Sequence, residues 1–155
     1  MNNVPKIAKF QLAQLNIARA KDEMASSVMN GFVSRLDQIN QLADESPGFV
    51  WRLQTDAGDA TSIRVFDDPL LLVNMSVWES IEALRYFVYK SLHVELVRDR
   101  AAWFTTLGSV HQVLWWIPYG HIPSAQEAIQ KLEHVRRNGA TQDGFTFATS
   151  FSMPE

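Results

Sequence analysis

The chain contains no cysteine, which removes disulfide staples, thiolate nucleophiles and cysteine-ligated metals together. It has no surplus of positive charge either. Fourteen Lys and Arg stand against seventeen Asp and Glu, a net charge of -3, whereas a nucleic-acid surface would favour a basic patch. The cations are scattered, apart from Arg98 with Arg100 and Arg136 with Arg137. No apolar run is long enough to span a membrane, and the opening MNNVPKIAKF lacks an apolar signal core; a cytoplasmic address is expected. Internal repeats, linkers and low-complexity tracts are missing. So are a phosphate loop, a dinucleotide fingerprint and a glycine-flanked serine elbow. His93 and Glu95 point apart on a helix, and His111, His121 and His134 lack ligand spacing around a carboxylate pair, so no metal site is expected.

What the chain does have is apolar bulk. Of 155 residues, 46% are hydrophobic, and five tryptophans and nine phenylalanines are among them. That suffices for a single domain with a real core over 1–155: a core of about 8–120, then a helix and extended tail over 123–155. Aromatics of this size serve cores, interfaces and flat-ligand pockets alike.

The stretch Leu70–His93 organises the rest. Leu71, Val73, Met75 and Val77 alternate with Leu72, Asn74, Ser76 and Trp78, a strand pattern. After Glu79-Ser80 the period changes, and Ile81, Leu84, Val88 and Leu92 mark a helix. That helix is expected from Ser80 to Phe104, interrupted near Lys90-Ser91, with Val94, Val97, Ala101 and Phe104 inward. Upstream, FQLAQLNI (10–17) alternates as a strand, and Val28, Met29, Phe32, Leu36, Ile39 and Ala43 form a helical stripe ended by Ser46-Pro47-Gly48. FVWRLQ (49–54) reads as a strand with Phe49, Trp51 and Leu53 on one face, and TSIRVF (61–66) as its return. VLWWIP (113–118) is a strongly apolar strand that sets Trp115 and Trp116 on opposite faces. Ser124 and Glu127 then open a third helix in capping-box spacing, closed by Arg136-Arg137-Asn138-Gly139. FTFATSF (145–151) is an extended segment lying on the domain or on a partner.

This order predicts an α+β, ferredoxin-like split β-α-β sandwich: a mostly antiparallel sheet with helices on one face. The other face carries Phe10, Leu12, Leu70, Leu72, Trp78 and either Leu114 with Trp116 or Val113 with Trp115. So large an apolar face does not stay open to water. A second copy of the same sheet would close it, giving a homodimer through the sheet face.

AQLNIAR, SPGFVWRLQ, IRVFDDP, LLVNMSVWES and LWWIPYGH together resemble a bacterial family known only as a domain of unknown function within the dimeric α/β-barrel superfamily. Its better-known members are antibiotic-biosynthesis and haem-degrading monooxygenases. The resemblance implies sheets paired into a barrel and a monooxygenase-like oxidoreductase working without a cofactor. In the haem-degrading branch an asparagine on the first strand, a tryptophan on the second long helix and a histidine beyond it carry the reaction. Asn16 matches the first and His93 the last, but Phe87 stands where that branch has tryptophan. Haem is therefore disfavoured as a cofactor.

Subject to strand phase, Gln14, Asn16, Arg52, Arg64, Asn74, Ser76 and Trp78 share the cavity side. A polar group set in an apolar face either satisfies itself or orients a ligand. Arg52 or Arg64 would meet an anionic oxygen. His93, Leu96, Arg100 and Trp103 share a helical stripe on which the imidazole could act as acid or base. Asn16 and His93 are thus the catalytic candidates. Gln14, Arg52, Arg64, Asn74, Ser76, Trp78, Phe87 and Trp103 are the ligand-binding ones, for a small apolar or aromatic compound. The alternatives are a satisfied structural network and a non-catalytic dimer that binds such a ligand.

Overall fold

The computed structural model describes residues 9–54, 68, 70–90, 98–105, 107 and 110–155, with only the backbone of Lys90. The expected return strand at 61–66, Arg64, His93, Val94, Leu96 and Val97 lie outside these residues. Strand β1, Phe10–Ala20, is central. On one side it pairs antiparallel with β3, Leu71–Trp78, placing Leu12 opposite Trp78, Gln14 opposite Ser76 and Asn16 opposite Asn74. On the other it pairs with β5, Gln112–Pro118, and, at its C-terminal end, with β4, Phe104–Thr105. Strand β2, Phe49–Arg52, lies outside β3. Among the described residues, the helices of ten residues or more are α1 (Asn30–Glu45), α2 (Ile81–Lys90) and α3 (Ala125–Asn138).

Because side chains alternate along a strand, β1 serves two cores. Leu12, Trp78 and Leu114 pack with Ile39 and Ala43 of α1, Ile81, Leu84 and Phe87 of α2, and Phe145 of the tail. Ala13, Leu15, Ile17, Val73, Met75, Val77, Val113, Trp115 and Ile117 pack with Ala128, Leu132 and Val135 of α3. A third cluster joins Ala20, Met29 and Trp103, with Phe32, Leu72 and Phe104 against it.

The antiparallel sheet with α1 and α2 on one face is as expected. The assignment of the other face is corrected. Leu12, Leu72, Trp78, Leu114 and Trp116 lie on the side of α1 and α2, and the opposite face is covered by α3 of the same chain. Alternation separates two faces without saying which helix each will meet. With α3 docked, burial alone no longer requires a second sheet.

Three local corrections follow from packing. The register shifts between Phe49 and Trp51, so these rings part. Phe49 meets Trp78 edge-on at 5.4 Å, while Trp51 and Leu53 lie on the α3 side. Within the expected helix, Ile81–Lys90 and Arg98–Asp99 are helical, but Phe104, expected to face inward from it, is a strand residue opposite Ala20. There it packs edge-on to Phe32 at 5.1 Å, closing the third cluster, while Ala101 is exposed. Val28, expected in the α1 stripe, is exposed as well.

The third helix follows its signals. Ser124 Oγ accepts from Glu127 N, Arg136 and Arg137 occupy the last turn, and Gly139 stands at φ 74°. The tail lies on the domain: Phe145 and Leu114 exchange two backbone bonds of 2.8 Å, and Trp116 Nε1 donates to Phe151 O at 2.9 Å.

Gly48 connects α1 to β2 at φ +82°, where an added Cβ would stand 2.5 Å from Ala83 Cβ. Gly120 has a similar φ of +83° with open space around it. Gly48→Ala is expected to cost about 3 kcal/mol, from left-handed strain plus overpacking, and Gly120→Ala about 1 kcal/mol, from strain alone. Thermal midpoints of the two variants check this; equal losses would contradict it.

Candidate functional site

Two polar rungs cross the sheet face under α1 and α2. The first runs Leu114, Gln14, Ser76 and Arg52 across four strands; the second runs Gln112, Asn16 and Asn74. Apolar rows border them, with Trp116, Leu12, Trp78 and Phe49 on one side and Ala18 and Leu72 on the other.

Gln14 is only 4% exposed. Its Nε2 donates to Asn74 Oδ1 at 2.6 Å and to Ser76 Oγ at 2.8 Å. Ser76 Oγ also accepts from Trp78 Nε1 at 2.8 Å. Four side chains on two strands thus form one chain of hydrogen bonds, as burial of polar groups demands. Its two ends differ. Trp78 is 1% exposed, stacked on Phe87 at 5.2 Å and edge-on to Phe49, whereas Asn74 is exposed. The arrangement offers an accessible amide, oriented from beneath by a buried one and linked through Ser76 to a buried indole.

The structure joins Gln14, Asn74, Ser76, Trp78 and Phe87, and sets half-buried Asn16 one rung along, opposite Asn74. It separates two others from them. Arg52 is in register with Ser76, but its guanidinium reaches Asp44 of α1, with Nε to Oδ1 at 2.7 Å and Nη2 to Oδ2 at 3.2 Å. Trp103 belongs to the third cluster, against Gly31 of α1, with the Arg35 guanidinium 5.4 Å from its ring. Asp99, bonded by Arg98 and by Arg35 at 3.3 Å each, has its carboxyl held below the ordinary range chiefly by the Arg98 hydrogen bond. Asp68 is lowered likewise, by Arg19 and by the Leu70 amide.

One polar group went unnoticed in the sequence. On the α3 side, Glu127 accepts from Trp115 Nε1 at 2.8 Å and meets His121 Nε2 at 2.7 Å. Glu127 showed only as a capping residue, and nothing in the spacing linked it to Trp115. Among the described residues, no three His, Asp or Glu side chains gather as a metal site.

The sequence matches the family described as "Domain of unknown function (DUF3291)" over residues 11–155. No curated protein matches it by sequence. Among solved structures it is similar to SnoaB, a cofactor-independent oxygenase from Streptomyces nogalater. That likeness has a TM-score of 0.50 and 18% identity, over 76% of this chain and 100% of that one. PA3566 from Pseudomonas aeruginosa aligns at TM-score 0.49 and 11% identity, over 76% of this chain and 100% of that one. The NE2512 protein of unknown function from Nitrosomonas europaea aligns at 0.45 and 11%, over 75% and 95%. At such identities the likeness concerns the fold.

Proposed function

The chain belongs to the DUF3291 family, and from that premise we propose that it binds a small, flat aromatic compound on the two-helix face and positions it for oxidation by dioxygen. The observation that carries this is the Trp78–Ser76–Gln14–Asn74 chain, which runs from buried stacked rings to an exposed amide. Apolar walls with a few fixed polar groups are the usual form of a small-molecule site.

The reaction class is suggested by the fold shared with SnoaB, described as a cofactor-independent oxygenase. In an anthrone-type substrate, a ring CH2 and one dioxygen become a ketone and one water. The electron-rich form that reacts is the enolate. Asn74 would stabilise its oxyanion with an N–H, and the apolar residues bordering the rungs would hold the ring plane. Asn16, opposite Asn74 in the same rung, is another amide on this face.

Oxygen uptake with anthrone tests this. Wild type is expected to exceed the uncatalysed rate, and Asn74→Ala to lose about 10²-fold in kcat/KM, the usual loss for one oxyanion donor. No uptake above background across anthrones and quinols would contradict the oxidation. Binding without turnover would assign the face to a carrier.

A further inference from the structure

We propose that Gln14 is a positioning residue that fixes the exposed end of Asn74 as a hydrogen-bond donor, so that the face selects ligands presenting a proton-free oxygen, a quinone carbonyl or a phenolate, over those presenting a hydroxyl. This deepens the ligand reading above and rests on it for the ligand, though not for the direction of the hydrogen bonds.

A primary amide has a donor end and an acceptor end of nearly the same shape. An exposed asparagine on its own can turn either end outward. Asn74 is not on its own. Gln14 Nε2 has two hydrogens, and both are committed: one to Asn74 Oδ1 at 2.6 Å, one to Ser76 Oγ at 2.8 Å. With Oδ1 held, Asn74 turns its Nδ2 away from Gln14, and those hydrogens have no acceptor among the described residues. Ser76 Oγ accepts twice, from Gln14 and from Trp78 Nε1, so the hydroxyl has only its proton left to give. The group that Asn74 turns away from Gln14 is therefore its NH2, and what the Ser76 hydroxyl has left is a hydrogen.

The direction is built into rigid parts. Gln14 lies in the central strand with Ser76 opposite on one side and Leu114 on the other, and Asn74 follows two residues before Ser76 on the same face. A carbonyl or phenolate oxygen meets such donors directly, and a phenolate gains a charge-assisted bond. A neutral hydroxyl oxygen is the weaker acceptor for these donors, and it brings a hydrogen that needs a partner of its own.

Two substitutions reverse the polarity while keeping positions 14, 74 and 76 bonded to one another. In Gln14→Glu, a carboxylate accepts from Ser76 and from Asn74 Nδ2, which turns Asn74 Oδ1 outward. In Asn74→Asp, the bond from Gln14 persists and the outward atom becomes a carboxylate oxygen. Asn74 is exposed, so this variant folds even if the buried change in Gln14→Glu is not accommodated.

The test has two arms. In 15N-labelled protein, the side-chain amides of Gln14 and Asn74 are assigned from their loss in Gln14→Glu and Asn74→Asp. The Gln14 amide is expected to exchange with solvent at least about tenfold more slowly than that of Asn74. An Asn74 amide that is the protected one overturns the proposal. In the second arm, 1,4-naphthoquinone and its quinol are titrated under argon; the chain has no thiol for the quinone to alkylate. Wild type is expected to prefer the quinone by about fivefold, and Asn74→Asp to lose or invert that preference. Equal affinities in wild type, or the same preference in Asn74→Asp, overturn the selectivity. A wild type that binds neither compound overturns the ligand reading of the face, while the exchange rates still decide the direction of the hydrogen bonds.

Discussion

Replacing Trp78 with alanine is expected to cost about 4 kcal/mol of folding stability, a large part of the 5–15 kcal/mol of a typical domain. Trp78 is 1% exposed and touches both structural systems of the two-helix face. Its ring stacks on Phe87 of α2 and meets Phe49 of β2 edge-on, and its Nε1 supplies one of the two bonds to Ser76 Oγ. Alanine leaves a cavity beneath α2 and removes a donor from a buried hydroxyl. For a chain of this length the thermal midpoint should fall by roughly 8–16 °C. Trp78→Phe separates the two contributions, because it keeps most of the ring and loses only the N–H. Its cost should be about 1–3 kcal/mol. Equal losses for the two substitutions would mean that the stacked rings contribute little.

The second large effect concerns α3. Leu132 is 1% exposed and lies between Ala128 and Val135 against nine apolar sheet residues. Leu132→Asp places a carboxylate in that seam with no cation among its packing partners, and burying such a charge costs more than the helix gains by docking. Helix α3 is then expected to leave the sheet, exposing a continuous apolar face of the kind that drives association. Sedimentation should show concentration-dependent oligomers where wild type shows none of that origin, and binding of an apolar dye should rise. A Leu132→Asp protein with the wild-type thermal midpoint and sedimentation would show that α3 does not cover this face in solution.

The strands and their faces were legible because a period of two survives in FQLAQLNI, LLVNMSVW and VLWWIP regardless of context. So were the cap and end of α3, which depend on nearest neighbours in sequence. Gln14, Asn74, Ser76 and Trp78 could be grouped because residues two apart share a face, although only the antiparallel register shows that Gln14 stands opposite Ser76. What was not legible is long-range. Nothing local says that α3 would occupy the face a second sheet was expected to fill. The β2 register shift depends on where Phe49 and Trp51 find partners, and Arg52 leaves its rung because Asp44 lies on the neighbouring helix. Phe104 follows the same rule: its place in β4 is decided by Phe32 and Ala20, far away in sequence.

The most direct test of the two-face account is the indole region of a 1H–15N spectrum during titration with 1,4-naphthoquinone. Trp78 and Trp115 lie on opposite faces of the sheet, and their indole resonances can be assigned from Trp78→Phe and Trp115→Phe. A ligand seated on the Gln14–Asn74–Ser76–Trp78 face should move the Trp78 indole and the Asn74 side-chain amide and leave the Trp115 indole in place. Movement of Trp115 with Trp78 unmoved would put the ligand on the α3 side and contradict the account.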